Sequence, residues 1–224
     1  GMLLYLVKHS RFDIADAVRD LSKVADGANH AHWKALLRCI KYVIMTEHMA
    51  LQMKPDKGAG SNPPFYVEGV SDSDYAGDRD TRQSVYGYII YFCGAPIAWK
   101  SKSSKSVTLS STEAEYYALS EVTKEIMFIK NVLESMGIVL TLPIKVKVDN
   151  VGAIYLSNNF SVGQRTKHID VRRHYVREYI VDGKLKTSFV PTKHNEADIH
   201  TKNTMEDAFS RHVGKNLKGV RYID

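Results

Sequence analysis

The pattern of apolar and polar positions changes character along the 224 residues. Residues 11–53 carry helical periodicity: AVRDLSKV first, then, after the breaker DGANH, the run HAHWKALLRCIKYVIM, with Trp33, Leu36 or Leu37, Ile40 and Ile44 at helical spacing. That spacing predicts a helical pair sharing one apolar face. KPDKGAGSNPP then breaks every period, because Pro and Gly favour turns over either regular structure, and it predicts a linker with a boundary near residue 60.

After the linker come strand-like runs rich in aromatic and β-branched residues: FYVEGVS, SVYGYIIYFCG and APIAWKS, joined by short polar or glycine-bearing links. Three such runs in succession predict an antiparallel meander. A long helix follows in STEAEYYALSEVTKEIMFIKNVLESMG, closed by Gly137, where a helix often ends on glycine. The strand PIKVKVD, a short helix NVGAIYLSNN, a basic helix TKHIDVRRHYVREYIV, the strand KLKTSFVPT and a final helix from about Glu196 complete the chain. The order βββαβααβα predicts an α/β fold with a mixed sheet and helices packed on it.

Against this frame the acidic residues stand out. The run FYVEGVSDSDYAGD ends in Asp72, Asp74 and Asp78, flanked by glycines, as a solvated turn would, since Asp caps turns. In the long helix, Leu119, Val122, Ile126, Ile129, Leu133 and Met136 recur at steps of three and four, and Glu115 lies one step before them. Glu115 therefore begins the apolar face, while Glu113, about 200° around the helix, points elsewhere. SSTE sets Ser110 and Glu113 in a capping-box relation, and TEAE offers Thr112 and Glu115 the same frame. In the first frame Glu115 is left over, and an acid facing a sheet is costly unless a cation or proton meets it.

In IKVKVDN, Lys145, Lys147 and Asp149 share the polar face of a strand, and Asp149 ends it just before a helix. Functional groups collect there in α/β sheets, although Asp is also a common N-cap. HNEADIH places Asp198 in the first turn of the last helix, where the macrodipole favours an anion in any case. Two strand-end aspartates and two helix-start acids that converged would repel one another unless divalent cations neutralised them. An all-oxygen ligand set favours Mg2+ or Mn2+ over zinc.

Composition narrows the partners. The net charge is +6, and residues 161–194 hold eight Lys or Arg against three acids, a local excess suited to a polyanion. Cys39 and Cys93 sit alone in apolar runs, which excludes a disulfide framework and predicts packing roles. No apolar run is long enough to span a membrane, and the opening GMLLYLVKHS lacks the length and cleavage site of a signal peptide, so the expectation is a soluble, intracellular chain.

The string SDSDYAGDRDTRQSVYGYIIYFCGAPIAWKSKSSKSVTLSSTEAEYYAL, followed in order by KVDNVGAIYLSNN, TKHIDVRRHYVRE and NEADIHTK, resembles the ribonuclease H domain of copia-type LTR retrotransposon Pol polyproteins over residues 65 to 205. Upstream, DIADAVRDLSKVADGANHAHWKALLRCIKYV resembles the end of the reverse transcriptase region. The resemblance implies a ribonuclease H-like fold, a five-stranded mixed sheet flanked by helices. It also divides the chain into an N-terminal helical segment with linker, 1–60, and a ribonuclease H domain, 61–224. It implies two Mg2+ or Mn2+ ions held by Asp72, Glu115, Asp149 and Asp198, with His194 as the mobile histidine upstream of the fourth acid.

The implied reaction is hydrolysis of the RNA strand of RNA/DNA hybrids during reverse transcription. The implied partners are the hybrid and the reverse transcriptase domain of the same polyprotein, inside a cytoplasmic virus-like particle. Arg172, Arg173 and Arg177 on the basic helix, and Lys100, Lys102 and Lys105 in the KSKSSKS loop, are candidate contacts to backbone phosphates. A hybrid-binding, connection-like module without catalysis is the alternative; it predicts loss of at least one carboxylate, and all four are present. An integrase or junction resolvase would share the fold but not the order of motifs. His200 and Glu68 depart from the family pattern, standing where an apolar or small residue is usual.

Overall fold

The computed structural model describes residues 1–57, 59, 65–78, 81–104, 107–159 and 167–219, with backbone alone for 167–173. Its centre is a five-stranded sheet built from β2 (Val67–Asp74), β3 (Val85–Phe92), β4 (Ala95–Ser103), β5 (Ile144–Val148) and β6 (Leu185–Phe189). The strand order is β4-β3-β2-β5-β6. β2, β3 and β4 form the expected antiparallel meander, while β5 pairs in parallel with both β2 and β6. This is the mixed sheet predicted from the element order.

Helices α4 (Ser111–Ser135), α5 (Val151–Asn158) and α6 (Lys167–Val181) cover one face. Leu119, Val122 and Ile126 of α4 meet Val67, Ile90 and Val146 in the main core. Gly69 permits the approach: a Cβ there would lie 2.7 Å from Ile126 Cδ1. Helix α4 ends as its sequence predicts, with Gly137 at φ +79°.

The opposite face is covered by a 3-10 turn, Glu196–His200, by α7 (Glu206–Asn216) and by the N-terminal helices α1 (Met2–His9) and α2 (Ala15–Lys23). One apolar cluster here joins Val70, Ile89, Tyr91 and Ala197, and another joins Phe12, Ile199, Val213 and Leu217. The expected helix from Glu196 is thus a short 3-10 segment, and the α-helix begins only at Glu206. Asn195 caps the 3-10 turn through Ala197 N, and Thr201 Oγ1 bonds back to the Asp198 carbonyl, so side chains take bonds that a continuing α-helix would use.

Helix α3 (His30–Met45) also departs from expectation. Trp33, Leu37, Ile40 and Ile44 are exposed, and the neighbouring stripe with Cys39, Tyr42 and Val43 packs on α1 and α2. α3 is apolar around much of its circumference, and a polar anchor selects the inward face. The Tyr42 hydroxyl donates to Asp13 at 2.9 Å, and Asp13 is held by Arg11 at 2.8 Å. Both cysteines are buried, as predicted.

Several contacts bind residues 1–51 to the remainder. Trp99 Nε1 donates to the Val7 carbonyl at 2.6 Å, and Arg19 Nη1 donates to Ser101 Oγ at 2.8 Å and to the His200 carbonyl at 3.1 Å. A two-stranded antiparallel sheet, unforeseen in the sequence, pairs β1 (Met49–Leu51) with β7 (Leu217–Gly219). The predicted linker falls partly outside the described residues; its Asp56 N donates to the Cys93 carbonyl at 2.7 Å.

Candidate metal centre

Strand alternation sends Val67 and Gly69 toward α4 and turns Val70 and Asp72 to the other face. Asp72 is 1% exposed. Its Oδ2 accepts a hydrogen bond from Thr201 Oγ1, and its Oδ1 accepts one from Asn195 Nδ2 at 3.3 Å. Asp74, two residues on, turns to Gly77 instead, where a Cβ would stand 2.1 Å from its Oδ2. The two aspartates of SDSD therefore have different jobs: one is buried beneath the 3-10 turn, the other shapes the tight turn after β2.

Glu115 approaches from the first turn of α4. Ser110 is the N-cap, its Oγ accepting from Glu113 N at 3.1 Å, while Glu113 Oε2 accepts from Leu109 N at 2.7 Å. Of the two capping frames, the first is the one formed, and Glu115 is left to the sheet. Ser73 N donates to Glu115 Oε1 at 3.1 Å, and Glu115 Oε2 is buried without a hydrogen-bond partner. Asp149 follows β5 directly; the neighbouring Asn150, not Asp149, caps α5, accepting from Ala153 N at 2.9 Å. One carboxylate oxygen each from Asp72, Glu115 and Asp149 lie within 4.8 Å of one another.

Asp198 joins this cluster from the 3-10 turn through Lys202. The Lys202 ammonium stands 3.2 Å from Asp198 Oδ1 and 3.6 Å from Asp72 Oδ2. Burial above all, helped by the charge of Asp149, raises the carboxyl pKa values of Asp72 and Asp198 against the pull of Lys202, and the charge of Asp198 adds to the rise at Asp72. Burial and the charges of Asp72 and Asp149 push Glu115 well above the ordinary carboxylate range. Burial opposes the charge of Lys202, but Asp72 and Asp198 outweigh it and raise the ammonium pKa. Crowded oxygen donors, one of them partnerless, with protonation favoured over charge, are what a divalent cation would relieve, so the residues present fit such an ion.

The other predicted residues are more scattered. His194 ends an exposed 3-10 turn, Thr192–His194, just before the buried Asn195. Lys100 and Lys102 lie on strand β4 rather than in a loop, and Lys105 lies outside the described residues. Lys102 pairs with Tyr86, and Tyr86 with Ser73, so all three form one row across the sheet. Arg177 donates from Nε and Nη2 to the Leu156 carbonyl at 3.1 and 2.9 Å, closing the C-terminal turn of α5. The side chains of Arg172 and Arg173 lie outside the described residues.

Sequence reasoning did not single out Asn195, Thr201 and Lys202. Asn195 Nδ2 also donates to the Ser71 carbonyl at 3.1 Å, so it ties the 3-10 turn to β2 beside Asp72. A signal was present: Asn195, Asp198 and Thr201 recur at steps of three, the period that brings side chains into line on a 3-10 turn. The two departures from the family pattern are absorbed locally. Glu68 pairs with Lys147 of β5 at 2.5 Å, and His200 is fully buried beside Phe12, ring centroids 5.9 Å apart, with neither ring nitrogen bonded.

No family model matches the chain. Over 220 residues it is 38% identical to the retrovirus-related Pol polyprotein of transposon TNT 1-94 from Nicotiana tabacum, covering 98% of this chain and 16% of that protein. Over 215 residues it is 37% identical to the corresponding polyprotein of transposon RE1 from Arabidopsis thaliana, covering 96% of this chain and 14% of that protein. Among solved structures, it is similar to the N-terminal ribonuclease H domain of a Mycobacterium tuberculosis protein fused to maltose-binding protein, with TM-score 0.42 and 17% identity. That match covers 66% of this chain and 96% of that one.

The mixed five-stranded sheet, with acids gathered near the ends of its parallel strands β2 and β5, is an α/β architecture. Its relatives at 37–38% identity over nearly the whole chain are retrovirus-related Pol polyproteins of copia-type plant transposons, and the chain spans 14–16% of their length.

Proposed function

We propose that this chain is a metal-dependent endonuclease that hydrolyses the RNA strand of RNA/DNA hybrids during retrotransposon reverse transcription. The observation that carries the reading is the convergence of Asp72, Glu115 and Asp149 within 4.8 Å, two of them buried, at the ends of two parallel strands. Such a cluster serves poorly as structure alone, because like charges removed from water destabilise the fold. A pair of Mg2+ or Mn2+ ions would supply an activated water and stabilise the charge on the leaving oxygen.

In this reading the residues of the chain position and neutralise. Asp72, Glu115, Asp149 and Asp198 hold the ions; the Ser73 amide orients Glu115, and Asn195 and Thr201 orient Asp72. His194, exposed at the end of its 3-10 turn just before Asn195, is the residue assigned to help product leave. The row from Ser73 through Tyr86 to Lys102 offers a path about 10 Å long, two strand spacings, from the acids to an exposed ammonium that meets backbone phosphate. The 2′-hydroxyl supplies the distinction between RNA and DNA.

Residues 1–60 are proposed to descend from the end of the reverse transcriptase region and 61–224 to form the ribonuclease H domain, working with the polymerase of the same polyprotein inside an intracellular particle. Among the described residues no helix is long and apolar enough to cross a membrane. The test is cleavage of a labelled RNA/DNA hybrid, with RNA and DNA duplexes as controls, in Mg2+, Mn2+ and EDTA, for wild type and Asp149→Asn. Cutting confined to the RNA strand of the hybrid, dependent on metal and lost in the variant, is the expected result. Binding of hybrid without any cutting would favour the connection-like module instead.

A further inference from the structure

The four acids are not equivalent. Asp72, Glu115 and Asp149 bring oxygens within 4.8 Å of one another, and among the described residues neither Glu115 nor Asp149 has an ion pair, whereas the edge between Asp72 and Asp198 holds Lys202, at 3.6 and 3.2 Å. We propose that Lys202 governs occupancy of that edge, holding by its ammonium the ground that a second divalent ion needs. The inference rests on the metal-centre reading above and adds to it an order of filling, in which the Asp72, Glu115 and Asp149 side loads first.

Charge explains the order. Once a bound ion displaces the protons, four ionised carboxylates against one ammonium leave a negative deficit that one divalent ion reduces but does not cancel. A second ion beside Lys202 would make the site net positive, while without the ammonium it would make it neutral. The repulsion acts over a few ångströms in a half-buried setting, where screening by water is weak. Lys202 can also withdraw: its side chain is 36% exposed, and a lysine stem is long and flexible. Its backbone stays fixed, because Lys202 N donates to the Asp198 carbonyl at 3.2 Å. An ammonium on a fixed base with a mobile stem suits a displaceable stand-in better than a permanent prop.

The experiment counts Mn2+ bound to the full chain, by electron paramagnetic resonance and calorimetry, in wild type, Lys202→Met and Lys202→Arg. Wild type is expected to bind one ion at least tenfold more tightly than a second. Lys202→Met should tighten the second ion at least tenfold, and Lys202→Arg should behave as wild type. An unchanged second affinity in Lys202→Met, with the first ion still bound, overturns the proposal and leaves the nuclease reading intact. Loss of both ions together with a lower Tm in Lys202→Met makes the lysine a prop and overturns it equally. Failure of all three proteins to bind Mn2+ overturns the metal centre itself, and this inference with it.

Discussion

Ser73 donates its backbone N–H to Glu115 Oε1 at 3.1 Å, so the end of β2 and the first turn of α4 are joined through the same carboxylate that the acid cluster needs. Glu115→Gln keeps an oxygen for that bond and removes the charge. We expect hybrid cleavage to fall at least about a hundredfold, the scale of losing a principal electrostatic contributor at a reacting centre. The metal-free variant should also be more stable, because burial and neighbouring acids disfavour the native carboxylate. A Tm rise of about 2–4 °C corresponds to roughly 1 kcal/mol in a chain of this size. Thermal denaturation in EDTA beside a cleavage assay reads both effects; a fall in Tm would deny that the charge is costly.

The same repulsion gives a pH dependence of fixed sign. Asp72, buried first of all and then beside Asp198 and Asp149, has its folded pKa raised from 3.8 to about 8. Between those limits the folded chain binds protons that the unfolded chain has lost, so stability declines as pH rises. Between pH 6.5 and 8 the metal-free chain should lose about 1–2 kcal/mol, at most 1.36 kcal/mol for each pH unit from one group. Saturating Mg2+ should abolish the decline, because a bound ion favours the ionised acids. Urea unfolding at several pH values, with and without Mg2+, measures it, and stability that rises over this window in EDTA would contradict it.

How legible was this arrangement beforehand? Glu115 was separable from Glu113 because helical spacing carries direction, and the cap formed by Ser110 and Glu113 bore that out. The antiparallel meander of β2, β3 and β4 followed from short links and apolar runs, which are local. The inward face of α3 differs from the stripe the sequence suggests because Trp33, Leu37, Ile40 and Ile44 form as regular a stripe as the one that packs. What decided between them was Asp13, far along the chain from Tyr42. The short pairing of β1 with β7 was invisible for a related reason: three-residue strands carry almost no periodicity, and these two lie far apart in the sequence. The 3-10 turn at Asp198 escaped because Asn195 and Thr201 are bound to Asp72, a long-range bond that no local propensity encodes.

His200 sits where the family pattern is usually apolar, and the fold treats it as apolar: buried, with both ring nitrogens unbonded. Burial, and then the charge of Arg19, depress its pKa from 6.5 to about 3. The folded ring stays neutral where the unfolded one takes a proton, so its contribution is complete above pH 6.5 and is lost as pH falls toward 3. His200→Leu should remove that acid sensitivity, gaining about 2 kcal/mol relative to wild type on going from pH 6.5 to 5. The comparison between variant and wild type cancels the opposite slope of the acid cluster. Equal pH profiles for the two proteins would show that the ring is protonated or solvated in the fold.

Gly87 lies opposite Asp72 in the β2–β3 register, and the 3-10 turn rests directly on it. A Cβ at position 87 would stand 2.5 Å from His200 Cβ and 3.0 Å from Thr201 Cγ2. Neither contact is with the far end of a flexible side chain, so relief requires the turn to move, and with it Asp198, Thr201 and Lys202. Gly87→Ala should cost about 1–3 kcal/mol, the usual range for overpacking, and should reduce cleavage far more than its stability loss explains. Gly69→Ala is the control, since its 2.7 Å contact is with the tip of Ile126, which can rotate away on the face remote from Asp72. If cleavage by Gly87→Ala, measured well below its Tm, equals that of Gly69→Ala, then the seating of the 3-10 turn does not set the geometry of the acids.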